Sequence, residues 1–503
     1  MRNKQTARSE FGGHHAVVIG ASMAGLLASR VLADHFEHVT IIERDRLPYE
    51  VQTRKGVPQG RHVHVLLNRG ASVMENLFPG LFPALIQDGS IAIDTVADFH
   101  WYNFGAWKPR FKSGITFYSQ SRPLLEGHVR ERVAARSNVR FLDACDVVKL
   151  CANEDAARIT GVQIRHRQGE QHEEILSADL VVDASGRGSQ TPRWLAALGY
   201  DTVEETSIKV DVGYATRLYR RPDQNSVDRD VLAIYSTPPA HKRAGVLAPI
   251  EDNHWIVTLI GWVRDYPPDD EVEFLAFARS LPQPDLYEAI KDAEPLTPIA
   301  IHKFPANRRR HYERLPRFPE GFVALGDAVC SFNPVYGQGM TAAALEAETL
   351  STLLYQQRER RASGDITGFS RRFQKKITHI VDTFWLLAAS EDFRHPETQG
   401  KRPLGVNLLN RYARRVHELS TFDPQVTVLL YQVLQAIKSP MALFSPHILM
   451  KVLFKRAPRQ SHQEGTSASR EVSGDDILSP MRTWENEEHK QTVSSVPEKT
   501  CSL

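Results

Sequence analysis

Cysteine is scarce in this 503-residue chain: there are four, Cys145, Cys151, Cys330 and Cys501. Their spacing fits neither a metal clamp nor a disulfide framework, so a reducing cytoplasm is the expected compartment. An excess of one charge is also missing. The chain has 62 Lys and Arg against 60 Asp and Glu, net +2, so no nucleic-acid partner is expected. No apolar run reaches the roughly 18 residues that a membrane span needs. The opening "MRNKQTARSEFGGHH" has no apolar core segment, so no signal peptide is expected. There is no internal repeat, no Ser-His-Asp order and no pair of carboxylates at catalytic spacing. His62 and His64 lack a third ligand nearby, so they read as structural and no metal site is expected. What is left is a soluble composition, 42 % apolar, with length for two or three domains.

The first positive signal is "HAVVIGASMAGLLASRVLADHFEHVTIIERD", from His15 to Asp45. Ala16 to Ile19 reads as a short buried strand and Gly20 to Gly25 as a tight turn. Ala24 to His35 has apolar residues at helical spacing, and Val39 to Ile42 is a second strand ending in Glu43. This is a dinucleotide-binding βαβ unit: the turn lets backbone approach a pyrophosphate at the helix N-terminus. Gly20, Ser22 and Gly25 occupy the three glycine positions, with the Ser22 hydroxyl free to donate to a phosphate. Glu43 is spaced to accept from the adenosine ribose hydroxyls, and Arg44 beside it joins the cofactor set.

The second signal is "GFVALGDAVCSFNPVYGQGMTAAALEAETLSTLL", residues 321 to 354. A buried strand ends in Asp327, then Asn333, Pro334, Gly337 and Gly339 lead into a helix beginning near Met340. A carboxylate there suits the polyol of a flavin. The helix N-terminus would stabilise negative charge at the O2 side of the ring, and the glycines let backbone approach the ring edge. Pro334 sets a rigid turn beside the ring.

Gly326-Asp327 with "NPVYGQGM" resembles the second flavin signature of the FAD-dependent monooxygenases related to para-hydroxybenzoate hydroxylase and squalene epoxidase. "SADLVVDASGRGSQTPRWL" (177–195) resembles that family's middle motif, with Asp179, Gly186, Ser189 and Arg193 in register. "RKGVPQGRHVHVLL" (54–67) and "SPMALFSPHILMKVLF" (439–454) look most like bacterial polyether-type flavin epoxidases. The resemblance spans about residues 14 to 456.

That resemblance implies FAD as cofactor, NAD(P)H as electron donor, and O2 trapped on the reduced flavin as a C4a-hydroperoxide. The oxygen would epoxidise or hydroxylate a small hydrophobic substrate: polyketide, terpenoid or aromatic. It places Arg61 near the flavin polyol or phosphates and Arg122 on FAD, with Arg130 as the rival. It places the backbone of Val147 at adenine and Pro334 and Gly337 near the ring. One departure stands out. Phenol hydroxylases of the family carry Asp-Gly where this chain has Ser185-Gly186, so a separate reductase is an alternative electron source. The rival activity is an FAD-dependent reductase of isoprenoid double bonds, and the rival class a non-catalytic flavin-binding protein. A halogenase is disfavoured because no Trp-x-Trp-x-Ile-Pro segment is present.

The expected architecture is α/β: a three-layer, Rossmann-like FAD-binding domain from residues 14–205 and 300–370. An antiparallel sheet for substrate is inserted at 206–299, with Tyr214, Tyr235, Trp255 and Trp262 as candidate lining residues. Residues 371–456 read as a helical cap whose apolar content also suits peripheral contact with a membrane surface. Residues 1–13 and 457–503 read as disordered tails. Cys330 reads as a buried small residue, and "NRRRHYERL" (307–315) as a basic turn or a phosphate site for NADPH.

Overall fold

The computed structural model describes residues 13–48, 50–54, 56–168, 172–222, 230–235, 237–360 and 365–455. Both expected tails, apart from Gly13, lie outside or at the margin of these residues, as the second begins past 455.

Five parallel strands form the first sheet, in the order Phe322–Ala324, Leu180–Asp183, Gly13–Ile19, Phe36–Ile42, Val139–Leu142. Ala16 to Ile19 and Leu180 to Asp183 are fully or almost fully buried. Burial on both faces is why these strands read as unbroken apolar runs rather than alternating ones. The helix Met23–Leu32 packs against the helices Gly339–Arg360 and Arg122–Ala134. A small antiparallel sheet, Cys145–Ala152, Ile159–His166 and Glu173–Ser177, touches Leu180–Asp183 through its middle strand.

Register decides what meets at the edge of this sheet. Ile19 pairs with both Ile42 and Asp183, and Asp183 pairs with Ala324. The turns that follow these strands therefore sit side by side at the carboxyl edge, where open α/β sheets hold ligands. Gly20, Glu43, Ser185 and Asp327 span 307 residues of chain from first to last, yet they share one edge.

The second sheet runs Cys330–Ser331, Ala300–Arg310, Glu205–Arg220, His254–Gly261, Arg243–Ile250, Val231–Tyr235, Phe99–Asn103, Ala106–Trp107, with Gln399–Gly400 on Glu205–Arg220. It is antiparallel except where Val231–Tyr235 runs parallel to Phe99–Asn103. The expected limits of 206–299 are therefore too narrow. Strands at 99–107, 300–310, 330–331 and 399–400 belong to it as well. Short two-residue strands carry too little periodic signal to be read, and the pair at 99–107 lies more than 100 residues from its neighbour in the sheet.

The sheet has two covered faces. On one, Trp255, Val257 and Leu259 pack with the helices Glu271–Arg279 and Asp285–Ile290. On the other, Tyr214, Ala248, Ile256 and Ile260 form the core that faces the first domain. Helices Phe369–Asp392, Val406–Leu419, Pro424–Leu434 and Pro446–Phe454 complete the described residues.

Candidate functional site

The turn after the first strand is built as the glycine pattern demands. A Cβ on Gly25 would lie 1.8 Å from the Gly20 carbonyl oxygen, so only glycine lets the helix start there. Ser22 is the N-cap residue, yet its side chain caps nothing. Its Oγ accepts from Arg122 Nη2 at 3.0 Å and donates toward Glu126 Oε2 at 3.5 Å. No side chain caps the first-turn N–H groups of this ten-residue helix.

Glu43 stands at the end of its strand as expected, but much of its capacity is in use. Oε2 accepts from the Ala21 N–H at 2.9 Å and faces Arg54 Nη1 at 3.1 Å. Oε1 accepts from the Asp45 N–H at 3.0 Å, which leaves lone pairs on that oxygen for a ribose hydroxyl. Arg54 was missed from the sequence. It is buried, pairs with Glu126 Oε1 at 2.8 Å and donates to the Ala21 carbonyl at 3.0 Å. Burial works against its charge, but Glu126 and then Glu43 outweigh that and raise its pKa. Nothing in a single sequence separates Arg54 from Arg61 seven residues on. Arg61 is exposed at the end of the turn Pro58–Arg61, and Arg44 is exposed beside Asp45.

Of the two candidate arginines on the helix Arg122–Ala134, only Arg122 reaches the turn. It is buried, contacts Ser22, pairs with Glu126 at 2.8 Å and donates to Met340 Sδ at 3.5 Å. Arg130 instead donates to the Pro48 carbonyl. Val147 lies in the small antiparallel sheet, half-buried opposite Ile164. In the middle motif, Asp179 accepts from the His14 and His15 N–H groups, and Arg193 is exposed. Asp183 is the organising acid there, accepting from Ser185, Ser189 and Thr191 hydroxyls.

Asp327 follows the last strand of the sheet. No donor among the described residues reaches its carboxylate, while Arg187, Arg122 and Arg308 stand around it. Burial pushes its pKa up to about 6, with those three cations opposing. An unanswered carboxylate beside guanidinium groups fits a ligand rich in hydroxyls. Behind it, Glu346 accepts from the Gly326 N–H, and burial pushes its pKa up to about 8. Gly337 adopts φ +64°, which favours glycine, and Gly339 opens the helix with only Asp327 Oδ1, at 4.0 Å, near a Cβ position. Cys330 is buried, and burial raises its pKa well above the usual value.

The loop Asn333–Gly337 is held from below by a network that sequence reading missed. Asp392, at the end of the helix Phe369–Asp392, accepts from Asn333 Nδ2 at 2.9 Å, Tyr336 Oη at 2.7 Å and Asn307 Nδ2 at 2.5 Å. Tyr214 Oη donates to Asn333 Oδ1 at 2.5 Å. In "NRRRHYERL", Arg309 pairs with Glu313 and Asp382, and Arg310 with Glu205. These are internal ion pairs, and only Arg308 faces the cleft acid.

Pro334 and Val335 also line a cavity. Its walls are mostly apolar, with Phe99, Phe117, Val231, Val246 and Ile260, and Gln435 at one side. Tyr214 and Tyr235 line it as expected. Trp255 and Trp262 do not: alternation along His254–Gly261 turns Trp255 to the opposite face, and Trp262 stacks on His395.

His62, His64 and His302 line the same cavity, so the reading of His62 and His64 as merely structural falls short. His62 Nδ1 lies 2.7 Å from Thr216 Oγ1, which continues to Thr258 Oγ1 at 2.6 Å. His64 Nδ1 lies 2.9 Å from the His62 carbonyl oxygen. A carbonyl only accepts, so the proton is on Nδ1 and Nε2 keeps its lone pair. Burial, then His302, pushes His62 down to about 3, and burial, then Arg122, pushes His64 down to about 4. Burial, then Arg187, lowers His302. All three imidazoles are neutral at pH 7. The two His/Glu clusters with metal-ligand spacing among the described residues, around His14 and His166, lie elsewhere.

This geometry has a match in sequence. The model of the FAD binding domain family matches residues 14–367. The chain belongs to that family. FAD is its cofactor, and the protein is a flavoenzyme with the flavin-monooxygenase fold. Protein Rv3254 of Mycobacterium tuberculosis is 37 % identical over 409 residues, 78 % of this chain and 84 % of that one. Kynurenine 3-monooxygenase of Yarrowia lipolytica is 20 % identical over 386 residues, 73 % of this chain and 79 % of that one. Among solved structures, the flavin-dependent brominase Bmp2 superposes with a TM-score of 0.60 at 13 % identity, covering 87 % of this chain and 98 % of its own. No helix among the described residues is long and apolar enough to cross a membrane.

Proposed function

We propose that the protein is an FAD-dependent monooxygenase that places one oxygen atom from O2 on a hydrophobic organic substrate, with NAD(P)H as the ultimate reductant. The observation that carries this reading is the shared wall. Pro334 and Val335 belong to the loop at the proposed flavin edge and also line the apolar cavity. A substrate in that cavity lies against the ring.

In this reading the pyrophosphate sits at the open N-terminus of Met23–Leu32, with Arg122 beside it. Glu43 Oε1 takes a ribose hydroxyl, and Asp327 takes hydroxyls of the polyol. Bound FAD supplies the redox and oxygen chemistry. The chain supplies binding and dryness. Phe99, Phe117, Val231 and Ile260 exclude water from the reacting face. Gly337 and Gly339 let backbone N–H groups and the helix N-terminus face the ring. His64 Nε2 accepts a hydrogen bond from a substrate hydroxyl and fixes its orientation. The relatives support this class without defining the substrate: kynurenine 3-monooxygenase and a probable FAD-dependent monooxygenase of Pseudomonas aeruginosa, PqsL, share the fold. Epoxidation and hydroxylation both fit this cavity.

The test is oxygen incorporation. Purified protein with FAD, NADPH and a panel of lipophilic alkenes and phenols is turned over under ¹⁸O2. Product heavier by one labelled oxygen atom is expected. Product formed without O2 would replace this reading with reduction of isoprenoid double bonds. Flavin reduction only when a reductase is added would identify a partner enzyme as the electron source.

A further inference from the structure

A surface on the C-terminal helices is left over from the site. Leu404, Leu408, Met441, Met450, Leu453 and Phe454 are between 57 % and 104 % exposed. Isolated exposed leucines need no explanation, but six such side chains within 51 residues do. The nine-residue helix Pro446–Phe454 buries only Ile448. The elements that carry them pack together. Tyr412 stacks on Phe444 with ring centres 4.6 Å apart, and Arg415 Nε donates to the Val452 carbonyl.

The same stretch holds the chain's excess charge. Between residues 401 and 455 there are eight Lys and Arg but only Glu418 and Asp423 as acids, in a chain of net charge +2. Asp423 is taken by Lys451 and Lys455, and Glu418 by Arg414 and Arg415. Lys401, Arg411 and Lys438 have no acidic partner among the described residues. The surface also adjoins the cavity. Gln435 lines the cavity wall, and its neighbours Leu434 and Ile437 are 37 % and 41 % exposed.

We propose that this face docks on an anionic lipid surface, its six apolar side chains entering the acyl boundary and Lys401, Arg411 and Lys438 meeting the headgroups. Apolar anchors flanked by unpaired cations are what binding in the plane of a bilayer requires. A second copy of the chain is a poorer occupant, because a twofold contact would set these cations against their own copies. Docking sets the cavity wall at Gln435 beside the bilayer, where lipophilic molecules concentrate. The docking stands or fails independently of the oxygenation chemistry.

The test is co-sedimentation of the full-length, FAD-loaded protein with vesicles of phosphatidylcholine alone and of phosphatidylcholine mixed with phosphatidylglycerol. Binding to the mixed vesicles is expected on the order of a hundredfold tighter, from about three unpaired cations. It should weaken as salt rises. The double variant Leu453→Glu, Phe454→Glu should lose sedimentation while keeping the wild-type flavin spectrum and thermal midpoint. Lys438→Glu with Arg411→Glu should lose the preference for anionic vesicles. Absence of binding to either vesicle would overturn the proposal, as would equal binding by wild type and the double variant. A dimer of the wild type that the double variant dissolves would reassign the face to a second copy.

Discussion

Asp392 and Asn333, 59 residues apart, meet in a hydrogen bond of 2.9 Å that ties the helix Phe369–Asp392 to the loop at the proposed flavin edge. The same carboxylate answers Tyr336 and Asn307. Burial pushes its pKa up to about 6, against the pull of those donors. The loop is thus positioned by an element outside the motif that names it.

Asp392→Ala should leave three donors without this acceptor, those of the buried Asn333 and Asn307 and of the half-buried Tyr336. At about 1–3 kcal/mol for each orphaned group, the loss is on the order of 3 kcal/mol or more. The urea midpoint of the FAD-loaded protein should fall, and Asp392→Asn, which keeps one acceptor oxygen, should fall less. An unchanged midpoint for the alanine variant would show that the loop does not depend on this tie.

Asp327→Ala should weaken FAD about 10–100-fold, since a carboxylate accepting from hydroxyls contributes about 1.5–3 kcal/mol. Flavin fluorescence quenching on titration measures it. Wild-type affinity in this variant would move the polyol away from Asp327 and its arginine neighbours.

His64→Phe fills the cavity wall but removes the Nε2 acceptor. For a hydroxyl-bearing substrate KM should rise roughly tenfold, one hydrogen bond's worth. An O-methyl analogue of the same substrate should show no change. Equal effects on both would mean that His64 shapes the cavity without reading a hydroxyl.

Glu346 carries a pH prediction. Its folded pKa of about 8 lies above the ordinary 4.5. An acid shifted up keeps its proton in the folded state while the unfolded chain has lost it. Between about pH 4.5 and 8 the folded state binds more protons, so stability falls as pH rises through that window. Asp327 and Asp392, both near 6, add to the slope between about pH 3.8 and 6. Glu346→Gln keeps an acceptor for the Gly326 N–H and should flatten the upper part of the curve. Denaturation of the FAD-free protein at a series of pH values reads this directly, and a slope unchanged in the variant would remove Glu346 as its source.

Much of the candidate site was legible because its signals are local. Gly13 to Glu43 compresses strand, turn, helix and strand into one short stretch, and Gly25 is required by a clash with Gly20's own carbonyl. The pairing of Ser22 with Arg122, 100 residues on, was legible only as two candidates, because a helix offers Arg122 and Arg130 on similar faces. Arg54, Asp392 and His302 carry no local signature. Each acts through partners far along the chain, and a lone buried polar residue looks the same in sequence as an exposed one.

The sequence by itself determined the parallel-sheet domain, its flavin motifs and their order, since apolar periodicity and turn residues act over a few residues. Only the tertiary structure decided how far the second sheet extends. It also decided that neither Trp255 nor Trp262 lines the cavity and that His62, His64 and His302 do. Those outcomes follow from strand register and from which side of a strand each residue occupies. A shift of one residue inverts every side chain, and long-range pairing, not local preference, sets that register.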